Sequence, residues 1–471
     1  MRVLCIIVFL IFEVCPSATL GASLWDVKIE KKQPSNSFSK ALAHYTMGII
    51  YDNEGKLSDA TAEYKAAIAL DPDISYLHSR LGVDYFLSKD TPNAVEEFKR
   101  AKSLDPADTK PRFLLALAYT SLNKFDLAKG EYEGVVRLNP NDIAALGSLA
   151  DLFVVEEKMN EAASIYEKLV EKEKNSSLLY FNLGVIYSRL GKLDEAIKAL
   201  NKAAQLEPNY LEACIGLGVL YENKNDLSAS ISNFEKALKI DPLNRTVYYA
   251  LAQLYYKTKR LSDAIHQYEL LMKLDPKDPQ VYVQWAGLHI REKNPKAAIF
   301  ILNKALSEGI KDVGVYLAAG YAYGEDSMAE EALKFYNEAL KLAPNDALVH
   351  FHLGAQYDRM KNRDLAIKEL RETIKLDPDF ADAYNYLGYM FAEEGSNLDE
   401  AVILVKKALQ IDPNNGAYLD SLGWAYFQKG NFTEALVELE KAIKFEPNDP
   451  EINGHLKKVK DKIKPSLRGG R

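Results

Sequence analysis

Histidine is the residue type here that could most directly hold a metal or transfer protons, and the chain has seven. His350 and His352 are two apart on a predicted helix, so they point to different faces and make a poor metal pair. His44, His78 and His350 recur at one slot of three similar segments, and His289 stands where most segments have tyrosine. We expect all four to pack in place of aromatic rings.

Other catalytic patterns are missing from the sequence. It contains no His-Glu-x-x-His, no Cys-x-x-Cys, no phosphate-cradling glycine loop and no nucleophile elbow. The acidic pairs Glu156-Glu157 and Glu393-Glu394 fall near predicted turns, where solvated charge is the ordinary explanation. Cys214 lies at an apolar slot and is expected to be a small buried side chain. The sequence therefore predicts a protein that is not an enzyme and needs no metal or cofactor.

The elements that must position any site follow a fixed stride of 34 residues. Proline marks this stride, and the count continues through Lys174 and Ile310, where proline is missing but the phase is kept. A self-similarity of this length indicates an array of repeats. The prolines in phase are Pro72, Pro106, Pro140, Pro208, Pro242, Pro276, Pro344 and Pro378.

Other residues keep step with the prolines. Leu183-Gly184-x-x-Tyr187 is followed by Ala196, Ala203 and Pro208, and the same order returns at Leu217-Gly218-x-x-Tyr221. This pattern resembles the tetratricopeptide repeat, a helix-turn-helix unit. The resemblance implies an all-α fold, a right-handed superhelical solenoid of about twelve repeats over residues 41–450. The expected starts are Ala41, Ser75, Thr109, Ile143, Ser177, Leu211, Arg245, Pro279, Val313, Ala347, Ala381 and Gly416.

Each recurring slot has a physical reason. A glycine such as Gly218 lets a neighbouring helix approach closely. Asp194 is predicted to be the N-cap of a second helix, and Pro208 ends that helix because its ring removes a donor. The missing prolines at Lys174 and Ile310 predict three blocks of four repeats, with altered packing at the joints.

The two ends differ from the repeats. Arg2 and the apolar run Val3–Phe12 predict a secretory signal over residues 1–22, because this apolar run is too short to span a membrane. Cys15 raises the alternative of a lipidated N-terminus, for which Glu13 fits poorly. A linker over 23–40 follows, and at the other end residues 451–463 predict a capping helix with Ile452, Leu456, Val459 and Ile463 on one face. A basic tail, 464–471, completes the chain.

Charge restricts the partners. The net charge of −8 provides no basic field, so nucleic acid is not expected as a partner. Residues 457–471 carry seven basic residues and one acidic residue, and could touch anionic lipid or an acidic partner. The alternative is a solvated cap with no partner. Membrane association and the oligomeric state are left open.

The concave surface is the predicted binding site. In the family that the chain resembles, the first helix of each repeat lines this surface, and here its inward slots are rich in aromatic residues. Such a groove suits an extended or amphipathic protein segment. Alternatively, the rings pack between neighbouring first helices. Asn182 and Asn385 lack the lysines of a carboxylate-binding set. The predicted contact residues are Tyr45, Phe86, Phe113, Phe181, Val185, Tyr249, Tyr256, Tyr321, Phe351, Tyr389, Trp424 and Phe427.

These features predict a non-catalytic scaffold that binds proteins or peptides. The segments Tyr384–Tyr389 and Gly416–Trp424 resemble the C-terminal repeats of bacterial envelope-associated members. The resemblance implies an exported, periplasmic or envelope-associated adaptor in assembly of an envelope or secretion complex. Two alternatives are a cytosolic or inner-membrane-tethered adaptor and a non-catalytic subunit of a polysaccharide synthesis or export system.

Overall fold

The computed structural model describes residues 36–466, and all regular structure in that range is α-helical. The predicted signal, most of the linker and the end of the basic tail lie outside these residues. Neighbouring helices form pairs joined by short turns, as the prediction of an all-α helical repeat requires. The bounds are Asn36–Asn53 (α1), Leu57–Leu70 (α2), Ser75–Leu87 (α3), Thr91–Leu104 (α4), Thr109–Ser121 (α5), Phe125–Leu138 (α6), Ile143–Val155 (α7), Met159–Lys172 (α8), Ser177–Arg189 (α9), Leu193–Leu206 (α10), Leu211–Asn223 (α11), Leu227–Ile240 (α12), Arg245–Lys257 (α13), Leu261–Leu274 (α14), Pro279–Arg291 (α15), Pro295–Ser307 (α16), Val313–Glu325 (α17), Ala329–Leu342 (α18), Ala347–Arg359 (α19), Arg363–Leu376 (α20), Ala381–Glu394 (α21), Leu398–Ile411 (α22), Gly416–Gln428 (α23), Phe432–Phe445 (α24) and Pro450–Ser466 (α25).

The helices fall into two compact units, one up to Gly216 and one from Leu217. This division lies inside α11 and not at Lys174 or Ile310, so the three blocks expected from the missing prolines stay a prediction. The local turns at the two sites without proline differ from each other. Helix α8 ends before Glu173 without a proline, and α16 is followed by Gly309 at a positive φ of 80°.

Close packing within each pair depends on glycine. A Cβ on Gly184 would lie 2.7 Å from the Leu200 side chain, and one on Gly218 would lie 2.8 Å from the Phe234 ring. Ala196 and Ala203 are completely buried in α10. The expectation that small residues let the paired helices approach is confirmed.

The turn inside each pair contains a residue in the left-handed conformation, where only glycine is unstrained, and the turn between α21 and α22 contains two. The prediction that Asp194 caps α10 is wrong: the left-handed Gly191 is followed by Lys192 at the N-cap position, and Asp194 falls within the first turn of the helix. Side-chain caps occur on many first helices, as where Asp142 accepts from the Ala145 amide at 2.9 Å, and on some second helices, as where Asp226 accepts from the Ala229 amide at 3.0 Å. The left-handed residues of these turns are Gly55, Lys89, Asn123, Glu157, Gly191, Asn225, Lys259, Lys293, Ser327, Lys361, Gly395, Asn397 and Gly430.

The first and last helices are longer than the sequence predicts. Helix α1 begins at Asn36 instead of Ala41, and α25 continues to Ser466, into the predicted tail. Ile452, Leu456 and Val459 of α25 are buried against the preceding pair, so this helix covers its apolar face. Across residues 36–466, none of the helices combines the length and the apolar run that crossing a membrane requires.

Candidate protein-binding surface

Five of the predicted contact residues share the fifth position of their repeats, counted from the repeat starts given above, a set we call the fifth-slot row. These rings are partly or largely buried, and each touches either the residues that begin the next first helix or its own second helix. Their contacts favour packing between helices. The pairs are Tyr45 with the Tyr76 hydroxyl (2.9 Å), Phe113 with the Tyr132 ring (centroids 5.6 Å), Phe181 with the Tyr210 ring (5.1 Å), Tyr249 with the Asp278 carboxylate (3.0 Å) and Phe351 with the Phe380 ring (5.1 Å).

The hydroxyl groups of this row do not titrate near neutral pH. Burial raises the pKa of Tyr249 to about 12, and burial also raises the pKa of Tyr45. Both hydroxyls therefore stay protonated, and that of Tyr249 donates to Asp278. The fifth-slot row provides fixed apolar and hydrogen-bonding contacts but no acid or base.

The ninth position of the first helices forms a second line, the ninth-slot row, with varied exposure. Val185 is buried, and the Tyr389 hydroxyl donates to Glu451 of α25 at 2.6 Å. Trp424 is only 6% exposed, beneath α25. Tyr321 differs from these three, since it is 37% exposed.

Small residues flank Tyr321 along the same row. Gly287 and Ala355 occupy the ninth slot of the pairs before and after it, and a Cβ on Gly287 would meet no atom within 4 Å. The His352 ring meets Tyr321 edge-on, with centroids 6.4 Å apart, and Leu348 on the same helix as His352 is 42% exposed. One ring therefore projects from a surface with open space beside it.

The twelfth position gives the remaining three predicted residues, the twelfth-slot row. Phe86 is partly buried against the core, and Phe427 stacks on Trp424 with centroids 4.9 Å apart. The Arg291 guanidinium lies over the Tyr256 ring, 4.8 Å from its centroid. Sequence reasoning missed Arg291. This residue is at the thirteenth position of its repeat and Tyr256 at the twelfth position of the preceding repeat, and these adjacent positions could have indicated the contact.

The histidines are used for packing and hydrogen bonding. His78 bonds to Glu97 at 2.7 Å and to the Pro72 carbonyl at 2.9 Å, and His350 bonds to Glu369 at 2.6 Å. His44 pairs with Glu63 in the same way, at 2.6 Å. Within the described range, no three His, Cys, Asp or Glu side chains converge closely enough to hold a metal ion.

Comparison with protein-family models shows the family to which the chain belongs. Models described as tetratricopeptide repeat or TPR repeat match seven stretches of the chain. The chain belongs to the tetratricopeptide repeat family. The resemblance predicted from the Leu-Gly-x-x-Tyr pattern is therefore confirmed. The matched residues are 45–109, 113–177, 177–210, 224–285, 313–346, 356–416 and 423–456.

Individual relatives of this tetratricopeptide repeat protein are distant. A TPR repeat-containing protein of Pseudomonas aeruginosa, PA4667, is 36% identical over 72 residues, which span 15% of this chain and 12% of that protein. Yeast Tom70 is 18% identical, with 92% of this chain and 97% of that chain covered at a TM-score of 0.40. The Cut9-Hcn1 structure, titled as an APC/C hetero-tetramer, gives 13% identity, coverage of 90% and 96% and a TM-score of 0.42.

Proposed function

We propose that this protein is a non-catalytic adaptor that binds an extended segment of a partner protein on the first helices of its second unit. A fold of this family is a scaffold for protein–protein interaction. The proposal places the contact at Tyr321, Leu348 and the open row position of Gly287.

The exposed ring of Tyr321 carries this proposal. Most of the predicted aromatic residues already pack against protein, so a partner gains little by touching them. Tyr321 and Leu348 are exposed at 37% and 42%, and covering both would remove apolar surface from water. Aromatic residues in such positions supply large contact area at a low cost in side-chain entropy. The Tyr321 hydroxyl can also bond to a partner's backbone.

The second unit also offers charged groups near this ring. Arg359 bonds to Glu325 through both terminal guanidinium nitrogens at 3.1 Å, one turn beyond Tyr321. A polar rim around an exposed aromatic anchor is the usual arrangement of a protein interface. These features favour a peptide with an apolar anchor over a purely charged ligand.

Export and a role in assembling an envelope or secretion complex are the second part of the proposal. The short apolar run Val3–Phe12 after Arg2 supports it. Sequencing the N-terminus of the mature protein should find a start between Thr19 and Trp25. An intact Met1 recovered from membranes would favour the tethered adaptor instead.

Binding to peptide and glycan arrays tests the partner class with matched variants. Tyr321→Ala should weaken peptide capture by about 2 kcal/mol or more if the ring is the anchor. Phe300→Ala is the control, because it removes a ring that is 73% exposed on the second helix α16. Equal loss in both variants would contradict the proposed site. Glycan binding that depends on Tyr321 would support the polysaccharide-complex alternative, since sugars also stack on aromatic rings.

A further inference from the structure

Helix α1 exposes a face that the later first helices largely bury. Met47 and Ile50 are 39% and 42% exposed. The residues at the slot of Ile50 in the later first helices are all buried, whatever their chemistry: Asp84, Ala118, Leu152, Ile186, Leu220, Leu254, Leu288, Ala322, Gln356, Met390 and Ala425.

Contacts in the first unit show what normally covers this face. Leu81, at the slot of Met47, packs against Ala60 and Tyr64 of α2. Leu115, at the same slot of α5, belongs to a cluster with Phe98 of α4. The face therefore receives the second helix of the preceding pair. Within residues 36–466 no helix precedes α1.

We propose that residues 24–33 of this chain dock on the face of α1 formed by Met47 and Ile50. Four residues in this stretch are apolar: Leu24, Trp25, Val27 and Ile29. Burying two or three such side chains against Met47 and Ile50 would remove apolar surface from water on both sides of the contact, which favours docking. The stretch has no detectable place in the 34-residue pattern, so it acts as a closing element and not as a further repeat.

The length and attachment of the stretch fit this role. Helix α1 begins at Asn36, so docking on the face of Met47 and Ile50 requires the stretch to turn back along the helix. Met47 lies about 16 Å along the axis from Asn36, at 1.5 Å per residue. Ten residues span about 15 Å as a helix and about 33 Å when extended, so Trp25 can reach the face. Attachment also gives the stretch a local concentration of order mM, well above that of a separate partner.

Hydrogen exchange of the whole purified chain, with its N-terminus fixed by mass spectrometry, tests the docking. Trp25→Asp combined with Ile29→Asp should speed amide exchange in residues 41–53 about tenfold or more, because the helix opens more often once its cover is lost. Lys28→Ala with Lys31→Ala is the matched control and should leave exchange unchanged. A Trp25→Cys/Ile50→Cys variant should form an intramolecular disulfide, since the remaining cysteine of the folded part, Cys214, is buried.

Three outcomes would overturn the proposal. The first is exchange in residues 41–53 that is the same in the aspartate variant and in the unchanged chain. The second is protection that rises with protein concentration together with a dimeric mass, which would assign the face to a second copy. The third is a purified chain that begins after Ile29 and still protects α1.

Discussion

The imidazole of His455 lies parallel to the indole of Trp424, with ring centroids 4.0 Å apart and 15° between the planes. His455 belongs to α25 and Trp424 to α23, so the last helix covers a ring at the ninth slot. Lys458, one turn further along α25, lies 4.6 Å from the same indole. The cap and the end of the inner surface are thus one packed structure.

Trp424→Ala should therefore act mainly on stability. Removing a ring that is 6% exposed should cost about 3–5 kcal/mol, most of it at the C-terminal end. Hydrogen exchange in residues 450–466 should rise sharply. Tyr321→Ala is the comparison, and its effect on stability should stay within about 0.5 kcal/mol. A fully stable Trp424→Ala protein that loses partner capture would instead restore the binding role predicted from the sequence.

The Asp420–His455 pair should be strongly coupled. Its closest atoms are 3.0 Å apart, and both side chains are 7% exposed. Burial raises the pKa of Asp420, while the hydrogen bond from His455 opposes that rise. His455→Ala leaves a buried carboxylate without its partner and should cost about 3–5 kcal/mol. Urea unfolding of a double-mutant cycle with Asp420→Ala should give a coupling of about 1 kcal/mol or more. Exposed His266→Ala is the neutral control, and additive losses would show that the pair is unimportant.

Two glycines in the first unit should respond oppositely to alanine. A Cβ on Gly184 would lie 2.7 Å from Leu200 and 3.3 Å from the Ala196 carbonyl, so Gly184→Ala should destabilise by about 1–3 kcal/mol. A Cβ on Gly147 of α7 would meet no atom within 4 Å, so Gly147→Ala should be neutral or stabilise by up to about 1 kcal/mol. Thermal unfolding checks both. Similar effects in the two variants would contradict packing as the cause.

Stability of the first unit should depend on Asp84. This side chain is buried, and burial together with the neighbouring Asp52 raises its pKa to about 8. In the unfolded chain the Asp84 carboxyl releases its proton at about pH 4. Between these two pH values the folded state binds more protons than the unfolded state, so the free energy of unfolding should fall as pH rises from about 4 to 8. Asp52 is itself held by Arg80 and Tyr64, each at 2.6 Å.

Asp84→Asn removes the titrating group and keeps the shape of the side chain, so it should flatten this pH dependence. Its free energy of unfolding, relative to that of the wild type, should therefore be higher at pH 8 than at pH 5. Urea unfolding at each pH, with hydrogen exchange in α3 as the probe, measures this change in stability. Exposed Asp126→Asn in α6 should leave the slope unchanged. An equal slope in wild type and Asp84→Asn would show that Asp84 is not the responsible group.

The sequence predicts the repeated part of the fold well because its periodic residues are those that pack. Gly184 and Gly218 lie where Leu200 and Phe234 require space, and Ser75 and Thr109 begin helices as expected. Period alone does not reveal contacts where the repeat ends. The stacking of His455 on Trp424 joins the last pair to a helix outside the pattern, so Trp424 looked like an exposed groove residue.

The candidate site is harder to predict for a related reason. Periodicity places an aromatic ring on the inner side of a helix but does not say whether the next pair covers it. Phe181 meets Tyr210 and Phe351 meets Phe380, whereas Tyr321 has Gly287 and Ala355 as row neighbours. The exposure of a ring on the inner side thus depends on the size of the side chains that the adjacent repeats place beside it.

The left-handed turn residues should influence where the repeats open first. Glycine takes that conformation without strain at Gly191, whereas Lys89 and Glu157 adopt it at a cost of about 1 kcal/mol each. In a linear array, each repeat opens according to its own stability and that of its two neighbours. Replacing a single strained turn residue with glycine would therefore stabilise its own repeat and leave another repeat as the least stable one. The place where a protease or a partner segment first reaches the backbone would change with it.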